Sequence, residues 1–258
     1  MPEESLKWYK ADLHIHSVLS PCGELEMGVS NIVSKAKELG IDIISICDHN
    51  TGANLRAFCS RGEEEGITVI AGMEVQTREE VHCLCFFPGT DDLEGFEEEF
   101  NDTLPKINNK PEVFGDQVII DQNENILGFE ERLLLASSSL GISDLVKLVK
   151  EYKGQVVPAH IDKKYYSLIS NLGFIPDYDL LGLEIFNYVD KNQLIKEYAE
   201  VERYPLMVSS DAHRLEEMKT SYKTFFYIYE PSFEEIVMAF NNLKGRRLNV
   251  FKNDIKAS

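Results

Sequence analysis

The chain is short of positive charge: 26 lysines and arginines stand against 44 acids in 258 residues, a net charge of −18. A field this negative speaks against a general grip on a nucleic-acid backbone. Long nucleic acid is therefore not expected as a partner, whereas a small phosphorylated substrate held by bound metal ions is. Most of the acids read as solvated surface, as in the runs 63–65 and 97–99. Long apolar runs are missing too. The longest, such as 41–47, are strand-sized and far short of a membrane span, so no membrane partner is expected. Cysteine is sparse and odd in number, at five, and its spacings form no disulfide framework. Cys83 and Cys85 lie too close together for the usual zinc-knuckle pair. The first eight residues lack the basic start and apolar stretch of a signal peptide. A reducing cytoplasm is the expected location. The apolar fraction of 43% is ordinary for a globular protein and excludes wholesale disorder.

What is present is a regular alternation of short apolar strands and helical stretches. Candidate strands cover 10–17, 41–47, 68–75, 81–87, 155–160, 182–187 and 206–210. Most are rich in Ile, Val, Leu or Phe on both faces, as buried parallel strands are. Helical candidates lie between them at 28–39, 55–65, 93–103, 143–152, 166–172 and 192–201. Gly40, Gly66 and Gly173 are placed to end three of these, and Ser143 to cap the start of another. The alternation implies a parallel sheet with helices packed outside it. Seven strands without an evident reversal predict an α/β fold, a barrel rather than an open sheet. The stretch 88–139 interrupts the rhythm after the fourth strand. It reads as an insertion holding an acidic helix and a hairpin at 117–120 and 126–129. Residues 1–258 are thus expected to be one barrel domain carrying one insertion. At the end, 224–229 reads as a further strand. Ser232 with Glu235 has the capping-box spacing for a helix over 232–243.

The six histidines carry the functional argument. His14 and His16 end the first strand, and alternate residues of a strand share a face. His49 follows the second strand in Asp48-His49-Asn50. Glu74 ends the third, His160 ends the fifth, and Asp211 and His213 follow the seventh. In an α/β barrel that end of the strands carries the active site. His82 stands instead at the start of the fourth strand, where pattern alone does not settle its approach. One histidine at a strand end is unremarkable; this many, joined by Glu74, Asp48 and Asp211, point to a metal site. Imidazole and carboxylate together suit zinc, manganese or iron. They are too many for one tetrahedral ion, so two or three divalent ions are expected.

In this order, His14-Ile15-His16, Asp48-His49-Asn50, Glu74, His160 and Asp211-Ala212-His213 resemble the motifs of the polymerase and histidinol phosphatase (PHP) superfamily. The resemblance runs from about Ala11 to His213. It implies a distorted seven-stranded barrel and a metal-dependent phosphoesterase of the stand-alone branch. It implies a first metal site of His14, His16, Glu74 and Asp211. A second would use Glu74 as a bridge with His82 and His160, and a third His49 and His213. Trinuclear members complete the third site with a histidine where this chain has Cys22; others use an aspartate where it has Pro21. Cys22 reads as a thiolate ligand, as a bystander near the site, or as a small buried apolar residue. Cys47, Cys59, Cys83 and Cys85 read as core.

The chemistry expected from this set is hydrolysis of a phosphomonoester or nucleotide by a hydroxide activated on the ions. Glu74 bridges, and Asp211 or His213 handles the proton. Asp48 is expected to orient a ligand histidine rather than to ligate. Lys163, Lys164, Arg78 and Arg214 are candidates to receive substrate phosphate, Lys163 first. Of the nearby aromatic residues Tyr165, Tyr166, Phe186 and Tyr188, one is a candidate to stack on a nucleobase, while Phe186 is expected in the core. Three other readings use the same residues: histidinol-phosphate phosphatase, a metal-binding regulatory module without turnover, and metal-dependent C–N hydrolysis.

Overall fold

A computed structural model describes residues 5–253. Residues 1–4, part of the N-terminal segment read above for a signal peptide, lie outside the described residues, as do 254–258. The strands are β1 (Lys7–Ile15), β2 (Ile43–Ile46), β3 (Thr68–Gln76), β4 (His82–Phe87), β5 (Val118–Ile120), β6 (Ile126–Phe129), β7 (Gln155–Pro158), β8 (Leu183–Glu184), β9 (Leu206–Met207), β10 (Tyr222–Ile228) and β11 (Arg247–Lys252). The helices are α1 (Val29–Glu38), α2 (Leu55–Glu65), α3 (Thr90–Phe100), α4 (Pro111–Phe114), α5 (Ile142–Glu151), α6 (Leu168–Leu172), α7 (Lys191–Glu197) and α8 (Phe233–Phe240).

Seven strands form one curled sheet in the order β11-β10-β1-β2-β3-β4-β7. β1, β2 and β3 run parallel, as their apolar faces predict. The expectation of strands without reversal is corrected at β4, which is antiparallel to both β3 and β7. The reason is the link 77–81. A parallel crossover needs about a dozen residues, and this link is a turn in which the Thr77 amide bonds to Val81 O at 3.0 Å. β4 is still buried on both faces, so its composition imitates a parallel strand. β8 and β9 pair with each other and their flanking residues connect β7 with β1. On one side the Leu181 amide donates to Val156 O of β7, and on the other the Asp211 amide donates to His14 O of β1, both at 2.9 Å.

Helices α1 and α2 bury Ile32, Val33, Ala36 and Phe58 against Ile44 and Ile46 of β2. Helices α3 and α5 bury Phe96, Phe100, Leu145 and Val149 against Phe87 and Val156. Gly66 and Gly173 end α2 and α6 in left-handed conformation, at φ 74° and 76°. Ser143 is not a cap: α5 starts one residue earlier, with extended Gly141 in the cap position. Ser232 does cap α8, accepting from the Glu235 amide at 3.3 Å. Glu235 does not close the box, because its carboxylate takes the Arg246 guanidinium at 2.6 and 3.0 Å.

Between β4 and α5 lie α3, α4 and the antiparallel hairpin β5–β6. Buried Asn54 ties the hairpin down, donating to Val118 O at 3.0 Å and accepting from the Ile120 amide at 2.9 Å. Asn50, next to His49, donates to Leu134 O and Ala136 O at 2.7 and 2.9 Å. The segment returning from the hairpin is thereby fixed to the loop after β2. Among the described residues, no helix is long and apolar enough to cross a membrane.

Candidate metal centre

The end of β1 places His14 and His16 on one face, both fully buried, with their Nε2 atoms 3.2 Å apart. Glu74 projects between them from β3. Its Oε1 lies 3.2 Å from His14 Nε2, 3.1 Å from His82 Nδ1 and 3.4 Å from His160 Nε2. Its Oε2 lies 2.9 Å from His49 Nδ1 and 3.5 Å from His16 Nε2. The sixth histidine, His213, stacks on His16 with ring centres 4.1 Å apart. Asp211 Oδ1 faces His16 and His14 at 3.2 and 3.3 Å, while Oδ2 pairs with the Lys163 ammonium. The antiparallel course of β4 explains why His82 belongs here: the start of a reversed strand lies beside the end of its neighbour.

The loops are held in conformations that side chains rarely adopt. Asn50, His160, Tyr166 and Asp211 all have positive φ, at 55°, 29°, 55° and 51°. Strain of this kind persists only where the surroundings enforce it, and it gathers at functional sites. Tyr166 lies flat on His82, with ring centres 4.7 Å apart at 10°. Its carbonyl accepts the His82 amide at 2.9 Å.

The electrostatics show bases and acids that compensate one another. Burial works against the His14 imidazolium, yet the charges of Glu184, Asp211 and Glu74 hold it well above the ordinary imidazole range. Burial likewise opposes ionised Glu74, and His82 and His14 outweigh it and hold the carboxyl well below its usual range. Both Glu74 oxygens, His49 Nδ1 and His160 Nδ1 are buried with no well-directed hydrogen bond among the described residues. Buried polar atoms are rarely left so. Three groups bring their donor atoms within 4.8 Å of one another: His14, His16 and Asp211; His49, Glu74 and His82; and His16, His49 and His213. Imidazoles and carboxylates arranged in this way fit divalent cations.

The other residues singled out in the sequence divide. Asp48 is fully enclosed and reaches the histidines through Ser20. It accepts from Ser17 N at 2.7 Å, Ser17 Oγ at 2.6 Å and Ser20 Oγ at 2.7 Å, and Ser20 Oγ lies 3.0 Å from His16 Nδ1. Cys22 is exposed, which removes the reading of a buried apolar residue. Its thiol meets His213 and His49. Local desolvation opposes the thiolate, but these two imidazoles draw the thiol down to about 6. Lys163 and Lys164 line the cleft, which holds about 540 Å³. The structure does not bring Arg78 or Arg214 into it: Arg78 turns toward Glu79 and Arg214 pairs with Glu24. Phe186 is not in the core; it is 55% exposed.

Glu184 is the residue that sequence reasoning missed. It is buried on β8, and its Oε2 lies 3.0 Å from His14 Nδ1 and accepts the His160 amide at 2.9 Å. Its own carbonyl accepts the Ile161 amide at 2.9 Å. The available signal was an acid inside an otherwise apolar strand of an α/β sheet.

The family model described as PHP domain matches residues 12–223. Two structures of endonuclease Q resemble this fold. The enzyme from Pyrococcus furiosus has a TM-score of 0.69 and 21% identity, covering 93% of this chain and 57% of that one. Endonuclease Q in complex with a 27-mer duplex bearing an abasic lesion has a TM-score of 0.68 and 21% identity, covering 93% and 58%. A candidate metal-dependent phosphoesterase from Bifidobacterium adolescentis has a TM-score of 0.56 and 18% identity, covering 82% and 89%. In sequence, an uncharacterized protein of Methanocaldococcus jannaschii is 37% identical over 78 residues, covering 27% of this chain and 46% of that protein. The chain thus spans little more than half of the endonuclease Q chains, and its match less than half of the archaeal relative. At these identities the structural likeness speaks for the fold.

One expectation is overturned by the duplex complex. A small substrate, with long nucleic acid not expected, does not follow from the net charge, because endonuclease Q, which shares this fold over 58% of its chain, forms a complex with a 27-mer duplex substrate. Net charge sums surfaces remote from the cleft, whereas a strand meets the local potential. Here that includes Lys163 and Lys164 on the cleft wall.

Proposed function

The chain belongs to the PHP domain family, and on that footing we propose that its histidine-rich cleft hydrolyses phosphoric esters with two or three divalent ions. It is a metal-dependent hydrolase, and its substrates are phosphomonoesters or phosphodiesters, those within nucleic acid included. The observation that carries this reading is Glu74, whose two unpartnered oxygens lie 2.9–3.5 Å from His49, His82, His14, His160 and His16. His14, His16, Glu74 and Asp211 would hold one ion, and Glu74, His82 and His160 a second. His49, His213 and the Cys22 sulfur would hold a third. Zinc, manganese and iron all suit such donors. When bound, such ions supply a nucleophilic hydroxide near neutral pH and a clamp on phosphoryl oxygens.

The chain's own groups supply the rest. Ser20 and Asp48 orient His16, and the Lys163 ammonium, at the cleft wall, receives a substrate oxygen. Asp211 divides its work: Oδ1 faces the histidines, and Oδ2 holds the Lys163 ammonium at the cleft wall. In this reading the chain is one distorted (β/α)7 barrel closed by the β8–β9 pair, with 88–139 inserted. Its five free cysteines suit a reducing cytoplasm.

The test is turnover of a generic phosphomonoester and a phosphodiester after chelation and after return of each metal. Activity should vanish with chelation and return with at least one ion. Glu74→Ala and His160→Ala should each lose bound metal and at least about 100-fold in kcat/KM, the scale of a lost ligand sphere. Full activity through chelation and both substitutions contradicts the reading.

A further inference from the structure

Lys163 and Lys164 form a wall with a cavity on each side. One is the histidine cleft. The other is a depression of about 490 Å³ lined also by Phe186, Asn187, Gln193 and the carboxylates of Asp190 and Glu197. Phe186 is a large aromatic side chain left 55% exposed. Its exposure is built in: the Asp162 carboxylate accepts the Phe186 amide at 2.6 Å and the Asn187 amide at 2.9 Å, fixing the backbone that presents the ring. Asn187 is committed, donating its side-chain amide to Asp190 at 2.6 Å. Gln193 is exposed on the same rim.

The Lys163 side chain relates the two cavities. Its ammonium pairs with Asp211 in the cleft and at the same time lies 4.6 Å from the centre of the Phe186 ring. A phosphate held at Lys163 therefore has its ester substituent within reach of that ring. A largely exposed aromatic ring with a cation over one face and a neutral amide on the rim complement a planar heterocycle carrying phosphate, stacked on the other face. A sugar alone would leave the ring exposed to water.

We propose that this second depression is a substrate subsite for a nucleobase, with Phe186 as its stacking face and Lys163 bridging base and phosphate. The inference rests on the hydrolase reading for the position of the phosphate, and its test reads binding instead of turnover. The probes are the 5′-methylenephosphonates of adenosine and of ribose, which have no ester bond to cleave. Each is titrated calorimetrically into the metal-loaded protein. Wild type should bind the base-bearing compound about 5- to 150-fold more tightly, the range for one base stacked on an aromatic side chain. Phe186→Ala should bring that ratio close to one, and Phe186→Trp should keep it. Equal affinity of wild type for both compounds, or a ratio that survives in Phe186→Ala, overturns the subsite. Failure of the hydrolase reading shows elsewhere, as absent turnover of generic esters, and leaves this ratio measurable.

Discussion

Glu184 holds two of the proposed ligands at once. Its carboxylate fixes the His14 ring through Nδ1 and pins the backbone of His160, whose left-handed conformation would otherwise relax. A carboxylate behind a ligand imidazole sets the tautomer and raises its basicity, and its loss typically costs 10–100-fold in metal affinity. Glu184→Ala is accordingly expected to weaken metal binding by about that factor, measured by competition with a chromophoric chelator. Glu184→Gln, which keeps a hydrogen bond but not the charge, should fall between the two. Wild-type affinity in both variants removes the role. Five of the six histidines, with Glu74 and Asp211, were legible because strand alternation and strand ends place them without tertiary information; His82 needed the reversal of β4. Glu184 was not, since only the pairing of β8 with β9 brings it under β1. Phe186 was misread for a related reason: its apolarity predicts burial, and only the two Asp162 hydrogen bonds show that the chain turns it outward.

The elements teach the same lesson one level up. All seven expected strand positions carry strands, but β4 runs backwards. Its buried, apolar sequence is what a central strand of either direction needs, so composition could not tell them apart. The short link 77–81 held the information. β11 was not foreseen because Arg247 and Lys252 sit at its ends, as befits a strand at the sheet edge. The hairpin β5–β6 was legible from its polar turn, but its anchor was not. Asn54 lies in the loop before α2 and satisfies two backbone groups of β5 from a fully buried position. Asn54→Ala leaves those groups without partners and should cost about 1–3 kcal/mol in urea unfolding. Amide exchange should quicken first over 118–129. An unchanged midpoint, with exchange in the hairpin as slow as before, would show that the insertion is held elsewhere.

For the whole molecule, the charge of −18 misled where it was used to exclude partners. The acids are spread over remote surfaces, while the cleft sets buried carboxylates against imidazoles and presents Lys163 and Lys164 at its wall. Two or three divalent ions would add positive charge at the point where phosphate must sit. The sequence order of the candidate ligands was enough to point to the family; which of them would share an ion depends on distances that only the folded chain supplies. The most direct test of the central claim is a crystal grown with zinc, manganese or iron(II) and recorded across each metal edge. The account predicts two or three anomalous peaks within bonding distance of Glu74 and its surrounding histidines, with none in Glu74→Ala at the bridging position. A cleft free of anomalous peaks with every metal, its imidazoles paired only with Glu74 and Asp211, would contradict it.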